Sequence, residues 1–475
     1  MKHTSLISWA VFFSMVLGST AMAKETALPL TTAVRVHPAI AQTSKETPQA
    51  KVVVSSSEKP VVTRHYTASN PAVGHPVLYW GRIDGAVGYE VQVLQPNAQG
   101  DITDKATGNT YTLMMPTQTA YTTGYELALP ASYMGQVFYW RVRAFDLDRH
   151  PISEFSDVEA SHIDRFEPFT EKPTPMAFYN QVPCGVLLYP VYDWIAVPGA
   201  AKYELEILNA MPENPNGIAP SVHRIDSYTP TNIHQYDQSA RMSDTPFYWR
   251  VRAMDSQGKP LGVYSDALPF LTSPKASKGC VAIFGDSISH GGGSISYSPT
   301  YWDFSYGSYL MFPTVNLAQS GDTSEMAVER FDRDVLPFQP SYLLILIGSN
   351  SLRAGVPAED VITDLKTIKE KCLSHHIRPV FLTIPPLNPA HIKRAFDEPT
   401  AENWQSLIAA VNAYIRTQVH VDITPGMADS HGILRPELAV DGIHLDPPGK
   451  KMIGAAINNA WKGILALPDT AWQED

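Results

Sequence analysis

Cysteine, clusters of basic residues and long apolar runs are all scarce in this 475-residue sequence. Its three cysteines cannot make a disulfide-rich framework, and their wide spacing excludes a compact zinc motif. The 36 basic residues form no block and are outnumbered by 47 acidic ones, so nucleic acid is not an expected partner. Beyond the first residues, no segment approaches the roughly 18 apolar residues of a membrane-spanning helix, so we expect no integral span.

The cysteines leave more than one arrangement open. One pair among Cys184, Cys280 and Cys372 could form a disulfide and leave a free thiol, or all three could stay reduced. For Cys280 and Cys372 the favoured interpretation is a small, buried hydrophobic side chain.

The first residues are typical of an export signal. Lys2 and His3 precede an apolar run over residues 6–17, and Ala-Met-Ala before Lys24 predicts a cleavage site there. A membrane anchor is the alternative, but the apolar run is short for one. We therefore expect a secreted, periplasmic or cell-surface protein.

An internal repeat follows. The string Phe-Tyr-Trp-Arg-Val-Arg-Ala begins at Phe138 and recurs, unchanged, 109 residues later at Phe247. Its alternation predicts a strand with one buried face and one wet face. The length of the repeat suits two sandwich domains of about 100 residues each. With an early tryptophan in each copy, Trp80 and Trp194, the pair resembles tandem fibronectin type III domains.

The pattern changes after residue 278, where short apolar runs alternate with amphipathic helical stretches. This alternation predicts an α/β domain in which helices cover both faces of a parallel sheet. The predicted strands are 281–284, 314–318, 342–347, 379–384 and 419–423, and the predicted helices are 324–336, 358–376, 401–417 and 447–465. The predicted organisation is a signal peptide (1–23), a disordered linker (24–70), two all-β sandwiches (71–165 and 166–275), the α/β domain (278–466) and a tail (467–475).

Polar groups lie where the predicted parallel strands end. Ser287, Gly321 and Asn350 follow the first three strands, and residues just past the carboxyl ends of such strands face the ligand crevice. Asp441 precedes His444 by three residues in a predicted tight turn, close enough for its carboxylate to reach the imidazole. Together these groups predict one site at that edge of the sheet.

Over residues 278–465 these motifs resemble the SGNH (GDSL-type) hydrolase family, which has a flavodoxin-like fold. The matching blocks are Gly285-Asp286-Ser287, Gly321, Gly348-Ser349-Asn350 and Asp441-Gly442-Ile443-His444. The resemblance implies that Ser287 is a nucleophile, His444 its general base and acid, and Asp441 the group that orients His444. It also implies an oxyanion hole made by Ser287, Gly321 and Asn350, with no metal or cofactor. One departure is Ser351, where the family often has Asp.

Four further residues are candidate substrate contacts, each with an alternative. His290 is more simply explained by a role in its loop, although it could touch substrate. Tyr301 and Trp302 belong to an aromatic segment that could offer a platform for a sugar or could pack beneath its own loop. Arg353 could meet an anionic group, but a solvated arginine is the favoured interpretation.

These features predict a secreted serine esterase that hydrolyses short acyl esters, acetyl above all, on a carbohydrate or cell-envelope glycan. A glycan O-acyltransferase and a lipid esterase or lysophospholipase are alternatives on the same site. From another class, a non-catalytic surface adhesion protein would use the sandwich domains for binding.

Overall fold

The computed structural model describes residues 58–83, 86–133, 135–146, 149–164, 170–176, 184–291 and 304–473. The predicted signal peptide and most of the predicted linker lie outside the described residues, as do Tyr301 and Trp302. Residues 58–70, however, are described and contact the first group of strands. Thr63 donates its backbone N–H to the Tyr79 carbonyl at 3.0 Å, and Val62 pairs with Trp80. Predicted disorder therefore does not extend to this part of the linker.

The first β module is the set of strands β1 to β8. It has two sheets, β1 paired with β6 and a larger sheet in the order β3-β4-β2-β7-β8 with β5 also on β2. Trp80 packs between them, 5.3 Å from Tyr89 and 6.1 Å from Trp140 between ring centroids. The strands are β1 Val77–Tyr79, β2 Gly88–Pro96, β3 Ile102–Thr103, β4 Thr110–Leu113, β5 Gln118–Ala120, β6 Gly124–Glu126, β7 Val137–Phe145 and β8 Glu159–His162.

The second β module repeats this plan. One sheet has the order β14-β11-β9 and the other β13-β12-β15-β16, and both contribute to a core around Trp194 and Trp249. Each module is thus a pair of antiparallel sheets around one core, while their fibronectin identity stays a prediction. The strands are β9 Pro175–Met176, β11 Val191–Trp194, β12 Lys202–Leu208, β13 Arg224–Tyr228, β14 His234–Tyr236, β15 Phe247–Met254 and β16 Leu268–Phe270.

The α/β domain is built on a parallel sheet in the order β10-β18-β17-β19-β20-β21. Its last five strands have the flavodoxin-like order, with a change of direction between β17 and β19. The strands are β10 Val186–Leu187, β17 Val281–Gly285, β18 Thr314–Asn316, β19 Tyr342–Leu346, β20 Arg378–Leu382 and β21 His420–Val421. The helices are α1 Ser287–His290, α2 Ser324–Asp334, α3 Ser349–Arg353, α4 Ala358–Ser374, α5 Pro389–Phe396, α6 Trp404–Ile415 and α7 Pro447–Leu465.

Strand β10 comes from a part of the chain that the sequence predicts to belong to the second sandwich. Val186 and Leu187 pair in parallel with Val315 and Asn316 of β18, which would otherwise be the edge strand on that side. Tyr189, which follows, is buried in the α/β core. The boundary predicted near residue 276 therefore does not separate two independent cores.

A disulfide joins the chain just before β10 to the chain just before β17. It links Cys184 to Cys280, while Cys372 is a buried free thiol on α4. The interpretation of Cys280 as a small buried hydrophobe is therefore wrong, because its sulfur is bonded; for Cys372 the same interpretation is confirmed.

The predicted tail also contains part of the core. A short 3₁₀ helix covers Asp469–Trp472, and the buried Trp472 donates its indole N–H to the Pro379 carbonyl at 3.0 Å. Among the described residues, no helix combines the length and apolar character needed to cross a membrane.

Candidate active site

The turn between β17 and α1 presents Ser287. Gly285 ends the strand, and a Cβ at this position would come within 2.0 Å of the Leu346 carbonyl on β19, so a larger residue would force the strands apart. The Asp286 carboxylate then caps α1 by accepting the Ile288 N–H at 2.9 Å. Ser287 is the first residue of that helix, where a backbone N–H has no intrahelical acceptor.

The structure brings Ser287, His444 and Asp441 into one hydrogen-bonded chain. His444 Nε2 lies 2.8 Å from Ser287 Oγ, and His444 Nδ1 lies 2.8 Å from Asp441 Oδ2. Asp441 is itself held in place, because its Oδ1 accepts the N–H groups of Ile443 and His444 at 3.0 and 2.8 Å. The exposed fraction is 6% for Ser287 and 1% for Asp441, so the chain of bonds is largely shielded from water.

The loop that carries Gly321 is hydrogen-bonded both to the strand that precedes Ser287 and to Asn350. The Gln319 N–H bonds to the Gly285 carbonyl at 3.0 Å, which holds the loop after β18 near the turn that presents Ser287. Gly321 has φ +93°, and a Cβ there would meet nothing within 4 Å. Asn350, in the first turn of α3, donates one Nδ2–H to the Asp322 carbonyl at 2.9 Å and has a second N–H to offer.

Ser351 belongs to a polar contact that joins three helices. Its Oγ accepts the Ser324 N–H at 2.9 Å, and Ser324 Oγ donates to Asp364 Oδ2 at 2.6 Å. A carboxylate from α4 is thus linked, through Ser324, to the position where the family often has its own Asp.

The comparison with known protein families covers most of the α/β domain. Residues 283–452 match the model of the GDSL-like lipase/acylhydrolase family. They form a GDSL-like lipase/acylhydrolase domain. The family resemblance is therefore confirmed, and the domain is a serine ester hydrolase.

Solved structures also resemble this part of the chain. A GDSL-like lipase from Bacteroides thetaiotaomicron VPI-5482 is 20% identical, with a TM-score of 0.33, over 39% of this chain and 89% of that one. A lipase/acylhydrolase from Enterococcus faecalis is 21% identical, with a TM-score of 0.31, over 39% of this chain and 95% of that one. No curated protein matches the chain.

The GDSL-like domain has a buried pair of ionisable groups beside the turn that presents Ser287. Lys450, on α7, is 1% exposed and donates to the Ile288 carbonyl of α1. Burial raises the pKa of the Asp286 carboxyl to about 7 and lowers the pKa of the Lys450 ammonium to about 8. Sequence reasoning missed Lys450, although one signal was present: it shares the apolar face of α7 with Ile453 and Ile457.

His290 is not a substrate contact in this structure. It is fully buried at the end of α1, and its Nε2 lies 2.9 Å from the Tyr189 carbonyl. The ring of Tyr236, from the second β module, packs edge-on at 4.9 Å. Burial lowers the pKa of the His290 imidazole to about 4. The favoured structural role therefore describes His290 better.

Tyr236 connects the second β module to the loop that carries Gly321. Its hydroxyl accepts the Ser320 N–H at 3.2 Å. The sequence contains no signal for this contact, because the two residues are 84 positions apart and lie in different predicted domains.

Arg353 is largely buried and not solvated. Its side chain is 9% exposed and its Nη1 lies 2.7 Å from Glu398 Oε2. The interpretation of Arg353 as a solvated side chain is therefore wrong, because it is buried and paired with Glu398 in the loop after α5, whereas a contact with an anionic group stays a prediction. Another unpredicted neighbour of the site is Phe396, whose ring packs edge-on against the imidazole of His444 at 5.9 Å.

Proposed function

We propose that this protein is an exported serine esterase that removes short acyl groups, acetyl above all, from a carbohydrate or cell-envelope glycan. The observation that carries the catalytic part is the hydrogen-bonded chain Asp441–His444–Ser287, with 2.8 Å at both of its links. Such a chain activates a serine hydroxyl, which is a weak nucleophile by itself at neutral pH.

In this mechanism Ser287 Oγ attacks the ester carbonyl while His444 Nε2 accepts the hydroxyl proton. His444 then returns that proton to the departing alcohol, which leaves an acyl group on Ser287. A water molecule, deprotonated by the same imidazole, attacks the acyl group and releases the acid. Asp441 holds the Nδ1–H tautomer of His444 and stabilises the imidazolium that forms in each half-reaction.

The negative charge on the carbonyl oxygen is stabilised by the N–H groups of Ser287 and Gly321 and by the Asn350 amide. A single donor of this kind is worth about 3 kcal/mol at the transition state. The bond from Asn350 to the Asp322 carbonyl fixes the orientation of the amide before substrate binds, which supports this role.

Two observations support the substrate and location. Ser287 is 6% exposed and the His444 side chain 11%, and reacting side chains with so little exposed surface favour a small acyl group. The Cys184–Cys280 disulfide is expected of an oxidising compartment outside the cytoplasm and so supports the export inferred from the first 23 residues. We further propose that the β modules are fibronectin-like sandwiches that hold the enzyme near a polymer.

Replacing Ser287 with Ala tests the catalytic proposal. With p-nitrophenyl acetate, butyrate and octanoate, wild type should favour the shortest chain, and Ser287→Ala should lower kcat at least about 10⁴-fold. Ser289→Ala is the matched control on the same helix turn: Ser289 Oγ bonds to Tyr306, 3.2 Å away, and we expect near-wild-type turnover. Equal activity in wild type and Ser287→Ala would exclude Ser287 as the nucleophile.

A second assay separates the substrates. Acetate released from an O-acetylated polysaccharide supports the glycan esterase. Acetyl groups appearing on an added glycan acceptor without free acetate would indicate a transferase, and a preference for octanoate and lysophospholipid would indicate a lipid esterase.

A further inference from the structure

Far from the ester-hydrolysing site along the chain, three ionisable side chains of the β region converge. His75 lies just before β1, Glu126 ends β6, and Glu171 lies in the segment that leads to the second β module. His75 Nδ1 is 3.4 Å from Glu126 Oε1 and 3.1 Å from Glu171 Oε2. One ligand atom of each residue falls within 4.8 Å of the others, the only such group of three among the described residues.

The cluster is short of positive charge and of hydrogen-bond donors. Glu126 is 3% exposed, and its Oε2 accepts no hydrogen bond from the described residues. Even a protonated His75 balances one of the two carboxylates. Lys172 lines the same cavity, but its ammonium bonds to Asp266 at 3.0 Å. Leaving a buried carboxylate uncompensated is costly, and either a proton held between Glu126 and Glu171 or a bound cation would compensate it.

The spacing of the three side chains suits a small divalent cation. Zinc binds His nitrogen and carboxylate oxygen at about 2.0–2.2 Å in tetrahedral geometry, which separates neighbouring ligand atoms by about 3.3–3.6 Å. The His75–Glu126 distance falls in this range, and the His75–Glu171 distance is 0.2 Å shorter than its lower limit. The site opens into a cavity of about 160 Å³, which leaves room for a water molecule as the fourth ligand.

We propose that His75, Glu126 and Glu171 form a zinc site that ties the first β module to the segment leading into the second. Two ligands come from the β1–β6 edge of the first module and the third from the connecting segment. Binding therefore restrains the connection between the modules and leaves the ester chemistry, which uses other residues, unchanged. A neutral imidazole and two carboxylates carry a charge of −2, equal and opposite to that of Zn²⁺.

Zinc titration of the EDTA-treated, full-length protein tests this site. We expect isothermal titration calorimetry with ZnSO₄ to show one ion per chain, and Co²⁺ to give the intense visible absorption of a four-coordinate ion. Glu126→Gln and Glu171→Gln should each weaken zinc binding at least about tenfold, since even residues that only support a metal ligand contribute that much. Esterase activity should not change with zinc.

The matched control is His65→Ala. His65 and Glu159 form a similar pair at 2.8 Å on the same module, with no third ligand among the residues that the structure describes, so this variant should bind zinc as wild type does. Glu171→Gln, at the more exposed edge of the site, keeps the test valid if Glu126→Gln does not fold. Absence of zinc binding by wild type, or unchanged binding in both Gln variants, would overturn the proposal.

Discussion

The two β modules place different side chains at the same edge position. In the first, Val77 of β1 lies opposite Glu126 of β6; in the second, Val191 of β11 lies opposite Tyr236 of β14. Glu126 meets His75 and the acidic Glu171 of the next segment, whereas Tyr236 meets His290 and Ser320 of the hydrolase domain. The same edge thus makes a charged junction in one copy and an aromatic junction in the other.

The repeated strand shows a second difference between the modules. In the first, Arg141 and Arg143 are partly exposed, and Arg141 bonds to the neutral Gln92 at 2.8 Å. In the second, Arg250 is fully buried and its Nε bonds to Glu206 at 2.9 Å. Seven identical residues therefore have different surroundings.

The greater burial of Arg250 is caused by the segment between β12 and β13. The carbonyls of Asn214 and Ala219 accept hydrogen bonds from Arg250 at 3.0 and 3.2 Å, so this segment covers the face that the strand pattern predicted to be wet. The prediction of one wet face describes the first copy and is wrong for the second. A strand's own sequence determines which residues share a face, but distant segments decide whether that face is covered.

The largest effect should come from removing the buried arginine. Arg250→Met leaves the buried Glu206 carboxylate without its main partner and should cost about 3–5 kcal/mol of local unfolding free energy. Arg141→Met, its counterpart, loses a bond to a neutral amide and should cost about 1 kcal/mol or less. Hydrogen exchange of peptides from β12 and β15, compared with peptides from β2 and β7, measures both losses of local stability in the full chain. Equal losses would contradict the difference between the modules.

The aromatic junction should make stability depend on pH through His290. Its pKa is lowered to about 4 from an ordinary 6.5, so between these values the unfolded chain binds a proton that the folded chain does not. The contribution of neutral His290 to the free energy of unfolding is present above pH 6.5. It is lost as the pH falls towards 4, by about 3 kcal/mol in all.

Comparison with His290→Asn isolates this contribution, because Asp286 titrates in part of the same range with the opposite sign. We measure the protection of β17 and β19 amides against hydrogen exchange, corrected for intrinsic rates. As the pH falls, this protection should decrease less steeply in the variant than in wild type. Identical slopes would show that His290 does not titrate as its burial implies.

The smallest effect should be on turnover. Tyr236→Phe keeps the ring against His290 but removes the acceptor for the Ser320 N–H, next to Gly321. Loss of one hydrogen bond, about 1 kcal/mol, should lower kcat about fivefold with little change in KM. The control is Tyr125→Phe on β6 of the first module, where the hydroxyl bonds to Gln118 at 3.0 Å and no effect is expected. An unchanged kcat in Tyr236→Phe would show that the second module does not influence catalysis through this hydrogen bond.

The amino-acid sequence by itself determined most elements of the α/β domain. The predicted helix 447–465 has the bounds of α7, and each predicted strand there overlaps an observed one, because apolar periodicity is a local property. It also located Ser287, Gly321 and Asn350 at the edge where parallel strands end, since the position of a residue relative to a strand end is local too.

Only the tertiary structure decided the contacts that join distant segments. Strand β10 is two residues long and has no period of its own, so its place beside β18 follows from packing. The Cys184–Cys280 bond, the burial of Arg250 and the contact of Tyr236 with Ser320 likewise depend on which segments meet in space. Such pairings are stabilised by burial and hydrogen bonds across the fold, which no single stretch of sequence records.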